Sequence, residues 1–483
     1  MSTPRSPWLV LVAMTGSLSM IMLDQTVVTV ALPSMSRELP LSPTGQQWVV
    51  NAYVLAMASL VALGGKLGDR FGGVSTFRAG VTIFFVASAL CGLVPHGPWG
   101  EPAMIAARAL QGAGAALMMP VSASIVIGAF GPARRGRAMA VYTGISQVFL
   151  AVGPLLGGFL TQEFSWRLVF WLNVPVGLAA LIMVRIARPE NTRNADAAIR
   201  LGSVALLVIG IGASVLAIQQ ATVWGWTSPA TLILLVAGVG VTAWFVLGQL
   251  RSSDPLVDVR LFARRTFVGN VIVIGLVQFG LLAVVLFSSL YVQDLLGLDP
   301  MVAGLCALPL IAGIAIAAQV GGRWYDRSGV RPPVLTGLAL AVVGVALWAA
   351  TLPLLSYGPQ VPGMAITGLG LGLMISPTNT DALSRVAPVE RSQAAGLMQT
   401  VRQIGGTLGV ALIGAVVLGI EHHGTRAPSP ESAAWAITVG FGLTAVVFTI
   451  ALLVGRQLLS RDRVSGSAAP KPELSGSQHA VAN

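Results

Sequence analysis

Charged side chains are scarce in this chain: Asp, Glu, Lys and Arg together make up 10% of it. Acids are the scarcer sign, 18 against 29 bases. With 55% apolar residues and a mean hydropathy of +0.80, a single water-soluble globule cannot enclose the apolar surface, so lipid must be the solvent. Lysine is almost absent, at Lys66 and Lys471 only, and every other base is Arg. A net charge of +11 suits a nucleic-acid binder only when the bases gather on one face or tail. Here they are dealt out between apolar segments, so no nucleic acid is expected as a partner.

Cysteine is nearly missing too. Cys91 and Cys306 each lie in an apolar run with no His or second Cys at metal spacing, so both read as packing residues. Glu421-His422-His423 lacks a third ligand and reads as a solvated loop, so no metal is expected. No Walker loop, zinc-helix motif or nucleophile elbow occurs. ATP-driven pumping and hydrolysis are therefore unsupported, the chain is not read as an enzyme, and no cofactor is expected.

What the chain does have is long apolar runs. A spanning helix needs roughly 20 mostly apolar residues. Such segments run near 8–32, 46–65, 76–95, 102–129, 137–160, 166–187, 201–220, 229–250, 266–292, 301–321, 333–352, 360–384, 393–419 and 432–455, fourteen in all. The first lacks a small-residue cleavage site and reads as a membrane helix rather than a signal peptide. With the N-terminus placed inside, 24 of the 29 bases fall on inside segments and helix ends, only Arg37, Arg167 and Arg426 fall outside, and Arg108 and Arg402 lie within helices. That asymmetry predicts both termini in the cytoplasm.

The chain also repeats itself. Gly64-Gly65-Lys66-Leu67-Gly68-Asp69-Arg70-Phe71-Gly72 matches Gly321-Gly322-Arg323-Trp324-Tyr325-Asp326-Arg327-Ser328-Gly329, an offset of 257. Gly144-Ile145-Ser146-Gln147, with Gly153-Pro154 and Gly157 after it, matches Gly396-Leu397-Met398-Gln399 with Gly405-Gly406 and Gly409, an offset of 252. Two matches at nearly one offset predict an all-α integral membrane protein of two pseudo-symmetric six-helix bundles with two helices inserted between them. Parallel repeats of that kind characterise rocking transporters. The expected units are a bundle over 8–187, a linker with the inserted helices over 188–265, a second bundle over 266–457, and a disordered cytoplasmic tail over 458–483.

With these features the sequence resembles the major facilitator superfamily, in its fourteen-helix drug:proton antiporter branch of the EmrB/QacA type. The carriers are Leu23-Asp24-Gln25-Thr26-Val27-Val28-Thr29-Val30-Ala31-Leu32-Pro33, the Gly65–Gly72 loop, Arg108 with Gln111-Gly112, Gly153-Pro154-Leu155-Leu156-Gly157-Gly158, Ser165-Trp166-Arg167 and Asn173-Val174-Pro175. The chain departs from the family at Thr29, usually Asn, at Gly73-Val74, often a basic pair, and at Phe149, often Gly. The resemblance implies a proton-coupled exporter of small amphiphilic drugs or antibiotics in the cytoplasmic (inner) membrane, with protons, lipid and its substrate as partners and no obligate protein partner. A dedicated exporter of one endogenous metabolite or lipid shares all these motifs and stays open as the alternative.

Several residues can carry that mechanism. Asp24 is the only acid well inside the first helix, where a carboxylate is expensive unless paired or protonated, so it is expected to carry the proton. Arg108 lies at a similar depth, and the resemblance implies that its helix and the first both line the central cavity. Direct pairing of the two and separate hydration both remain open. Asn at 24 is expected to leave folding intact and to weaken cationic drugs most. By resemblance Gly65, Asp69, Arg70 and Gly72 form the cytoplasmic gate, with Asp326 and Arg327 repeating the pair. Gly153, Pro154, Gly157 and Gly158 form the antiporter motif, where Pro removes a backbone hydrogen bond and Gly permits close packing. Gln25, Gln111, Gln278, Asn379, Gln399 and Arg402 are the expected polar groups of a mostly apolar substrate cavity, Arg402 reaching substrate, Asp381 or backbone carbonyls.

Overall fold

The computed structural model describes residues 6–39, 41–191, 193, 200–252, 255, 259–422 and 429–462. His423 and all but the first residues of the expected tail lie outside them. Helices begin where the sequence sets Ser before Pro: Ser6, Ser42 and Ser429 each accept a backbone N–H from the residue three positions on, while Pro at the first helical position loses no hydrogen bond. The helices are α1 (Pro7–Glu38), α2 (Pro43–Phe71), α3 (Gly73–Gly92), α4 (Gly100–Ala129), α5 (Arg135–Glu163), α6 (Arg167–Ala187), α7 (Leu201–Trp224), α8 (Pro229–Arg251), α9 (Arg265–Leu290), α10 (Leu308–Ser328), α11 (Arg331–Thr351), α12 (Gln360–Ser384), α13 (Arg391–His422) and α14 (Pro430–Leu458). Gly72 at φ +94° ends α2 and Gly329 at φ +80° ends α10, a left-handed turn that glycine adopts without penalty.

A helix stands in each of the fourteen expected places, but not all are equally apolar. Among the described residues twelve helices are long and apolar enough to cross a membrane, and a bent pair, Pro132–Leu150 with Leu155–Glu163, makes a thirteenth. Segment ten is corrected: it starts at Leu308 after the short helix Pro300–Cys306, and Gln319, Arg323, Asp326 and Arg327 dilute its apolar run. The exact count of fourteen crossings therefore does not follow from apolar length. Segment nine continues through one π-helical turn at Tyr291–Leu295.

Packing repeats across the halves. In the first bundle α1 lies on α5 and both α2 and α3 lie on α4; in the second α9 lies on α13 and both α10 and α11 lie on α12. Between bundles α2 meets α13, and its counterpart α10 meets α5. Backbones approach closely through glycine, as where Gly337 of α11 faces the Gly370 carbonyl of α12, leaving 2.5 Å for a Cβ. The inserted α7 touches both α2 and α13, with Gly212 against Ser59. Its partner α8 turns Ile233, Val236 and Trp244 outward, as a lipid-facing helix would. The multi-pass architecture shows a membrane protein. The end that carries the Arg-rich loops is called here the basic end.

Candidate transport site and gate

Asp24 sits halfway along α1, 1% exposed, and its partners come from the rest of the first bundle. Arg108 Nη1 of α4 donates to Asp24 Oδ2 at 2.7 Å, and Gln111 Nε2 donates to Asp24 Oδ1 at 2.8 Å. Arg108 is held on its other sides. Its Nε donates to the Val49 carbonyl at 3.0 Å, Nη1 also reaches Gln111 Oε1 at 2.6 Å, and the guanidinium lies 4.4 Å from the Tyr53 ring centroid. Asn173 of α6 donates to Ser88 Oγ at 2.9 Å and reaches Asp24 Oδ1 at 3.5 Å, while Ser88 Oγ donates to the Phe170 carbonyl. Buried charges of opposite sign, each also hydrogen-bonded to Gln111, form a network in which loss of one member leaves the other stranded.

That placement settles one open question and corrects one expectation. The Asp24–Arg108 pair is direct and lies inside the first bundle, while α1 and α4 both reach the central cavity, through Leu18 and Met22 and through Met119 and Ala123. Gln111, expected to face substrate, is fully buried in the same network. Asn173 and Ser88 were not singled out as functional; Asn173 was visible in the sequence only as part of the motif opening α6, and Ser88 gave no signal.

The antiporter-motif glycines seat α5 on α1 beside this pair. A Cβ at Gly153 would run into Thr26, one at Gly157 would come within 3.1 Å of Val27, and Gly158 is looser, with Val30 at 4.0 Å. Thr26 Oγ1 donates to the Leu150 carbonyl at 3.0 Å, just before the 44° bend that precedes Leu155, which spans Pro154.

At the basic end two carboxylates cross between bundles. Asp69 Oδ2 at the end of α2 accepts the Gln393 backbone N–H at the start of α13, 3.0 Å. Asp326 at the end of α10 accepts the N–H groups of Gly136 and Arg137 at the start of α5, at 2.9 and 3.1 Å. An anion at a helix N-terminus meets both unpaired donors and the positive end of the helix dipole. The bundles touch here because glycine lets them. A Cβ on Gly65 would stand 2.5 Å from the Ser392 carbonyl, and one on Gly322 would collide with the Gly136 carbonyl. Lys66 Nζ donates to the Pro255 carbonyl at 2.8 Å. Of the basic partners, Arg70 lies 5.5 Å from the Phe71 ring centroid and Arg327 is exposed at the end of α10.

Above this closure lies a cavity of about 40 Å³ between the bundles. Met22, Met119, Met139 and Met398 line it with Tyr142, Asn379, Gln399 and Arg402. Arg402 is its one charged group among the described residues; Nη2 donates to Asn379 Oδ1 at 3.2 Å and Nε is buried without a partner. It does not reach Asp381, which accepts from Arg385 Nε and Asn270 Nδ2, each at 2.8 Å. Gln25 and Gln278 are corrected as well. Neither lines this cavity, and Gln278 packs under Gly406 of α13.

Two helical bundles related by sequence and packing, closed at one end around a central cavity, define a transporter rather than an enzyme. The sequence model of the Major Facilitator Superfamily matches residues 14–410, and the chain belongs to that family. It is 35% identical to the puromycin resistance protein pur8 of Streptomyces alboniger, over 93% of this chain and 90% of that one. The tetracenomycin C resistance and export protein of Streptomyces glaucescens is 32% identical over 85% of this chain and 76% of its own. The cephamycin export protein CmcT of Amycolatopsis lactamdurans is 32% identical, covering 90% and 89%. Among solved structures, a double-tryptophan variant of XylE shares the fold with a TM-score of 0.69 at 14% identity, covering 95% of this chain and 98% of that one.

Proposed function

We propose that this chain is a proton-coupled antiporter that exports small amphiphilic drugs or antibiotics across the cytoplasmic membrane by alternating access. The observation that carries the reading is the pair of crossed carboxylate caps, Asp69 to Gln393 and Asp326 to Gly136, which shut one end of the cavity with reversible bonds. Relatives named for export of, or resistance to, puromycin, tetracenomycin C and cephamycin, each matching over most of its length, support the substrate class. With both termini and the Arg-rich loops in the cytoplasm, this conformation is closed to the cytoplasm.

Coupling is assigned to Asp24. Its proton would remove half of a buried ion pair, leaving the Arg108 charge without its counter-ion among Val49, Gln111, Tyr53 and Phe170. Loosening of α4 against α1 follows, and α1 carries Leu18 and Met22 into the cavity wall. No cofactor takes part; the proton gradient is the energy source. The cavity holds a cation and no carboxylate among its described lining residues, so acceptor-rich or anionic compounds fit it better than cations. This reverses the expectation that cations would depend on Asp24 as a direct partner.

The test is efflux from proteoliposomes with an imposed pH gradient, with and without an uncoupler. Uptake against a gradient that the uncoupler leaves untouched sinks the antiport reading.

A further inference from the structure

A second cavity, of about 210 Å³, opens at the basic end between the bundles, where the mechanism above has no use for it. Arg135 from the start of α5 and Arg391 from the start of α13 both line it, one from each bundle. Arg391 is only 8% exposed, and its Nε is buried without a hydrogen-bond partner. Among the described residues Arg135 makes one long bond, Nε to the Phe130 carbonyl at 3.4 Å. The two guanidiniums are within Coulombic reach of each other, and like charges there repel. The acids nearby do not relieve them. Glu190 lines the same cavity but forms no ion pair with either arginine, and Glu390 keeps its own Oε2 unpartnered next to Arg391 in the chain.

Burying an unpaired guanidinium beside another is costly, and proteins keep such pairs where an anion completes them. The cavity has room for several waters at about 30 Å³ each, hence for a tetrahedral oxyanion with its hydration. We propose that Arg135 and Arg391 form a binding site for a phosphate group that bridges the two bundles at the cytoplasmic end.

Because each bundle supplies one arginine, the site is complete only while that end is closed. A ligand that binds one conformation alone shifts the population toward it. Without the anion, repulsion between the arginines favours opening; with it, the same two residues become a staple. The phosphate acts as a brake on opening to the cytoplasm, whatever compound is exported. Its source is either a lipid headgroup or free phosphate, and both present the same oxygens.

Purified wild-type protein, Arg391→Gln and Arg135→Gln are compared for thermal unfolding in two arms. One titrates sodium phosphate in neutral detergent at constant ionic strength. The other places the protein in nanodiscs of phosphatidylglycerol or of phosphatidylcholine. Saturable stabilisation of wild type in either arm, weakened roughly tenfold or more in midpoint by each substitution, is expected. Response to sodium phosphate identifies a free anion, and response to phosphatidylglycerol alone identifies a lipid. In the absence of phosphate, spin labels across α2 and α13 at the basic end should report more closed molecules in Arg391→Gln than in wild type, since the repulsion is gone. If Arg391→Gln does not fold, Arg135→Gln carries the comparison. Stabilisation equal in wild type and variants, or absent from wild type in both arms, overturns the proposal.

Discussion

The Asp69 carboxylate and the Gln393 backbone N–H, 324 positions apart, meet at 3.0 Å, and Asp326 with Gly136 makes the equivalent bond from the opposite bundle. Each acid leaves the end of one helix to cap the beginning of another. Closure at the basic end is thus built from two helix caps exchanged between the bundles, and the strength of each is that of a cap.

Alanine at 69 or 326 should therefore weaken closure by about 1 kcal/mol, a several-fold population shift toward opening at the basic end. Substrate binding should survive, since neither residue lines the cavity. Distances between spin labels on α2 and α13 measure the shift. An unchanged distribution in Asp69→Ala would show that the caps do not hold the gate.

Closure also needs bare backbone. Gly65→Ala would bring a Cβ to 2.5 Å of the Ser392 carbonyl, which cannot move aside as a flexible side chain would. Overpacking of this kind costs about 1–3 kcal/mol, and here it falls on the closed state only. Gly240→Ala on α8, where an added Cβ meets nothing within 4 Å, is the control that should transport normally. Equal efflux by the two variants contradicts the argument.

The Asp24 network sets a sharper test than the sequence suggested. Asn at 24 removes the acid but leaves Arg108 buried with its charge, so a loss of about 3–5 kcal/mol is expected rather than an intact fold. Replacing both, Asp24→Asn with Arg108→Gln, should recover most of it. Chemical denaturation in detergent compares the three proteins, and proton release on adding substrate should vanish in the double variant. Wild-type release from the double variant excludes Asp24 as the proton carrier.

Arg402 should select cargo. Arg402→Gln is expected to weaken anionic or acceptor-rich compounds by about tenfold, the value of one charge-assisted hydrogen bond. Cationic compounds should be unaffected or gain. A panel of charged dyes measured by equilibrium binding decides it, and uniform loss across the panel would mean that Arg402 is structural.

Much of this was legible in the chain because membrane helices announce themselves through apolar length and the repeat through its spaced glycines. Asp69 and Asp326 could be matched by sequence alone. Their partners could not, since a backbone N–H has no sequence signature. Gln111 and Arg402 show the same limit: both are polar residues deep in apolar helices, yet one points into its own bundle and the other into the space between bundles. Rotation about a helix axis decides that, and an all-apolar surround leaves little periodicity from which to read it. The start of Leu308–Ser328 is hidden from the sequence because the apolar residues at 301–306 run on without a turn signal, although they form a separate short helix.

The inserted helix α7 lies against α2 of one bundle and α13 of the other. When the bundles turn relative to each other, it cannot stay fixed to both, so at least one of these contacts must shear in every cycle. Gly212 approaches Ser59 of α2, but Leu207, Ile211 and Val215 of α7 are buried in the apolar core. Whichever seam yields must drag those buried side chains past a facing helix, so α7 acts as a damper on the stroke.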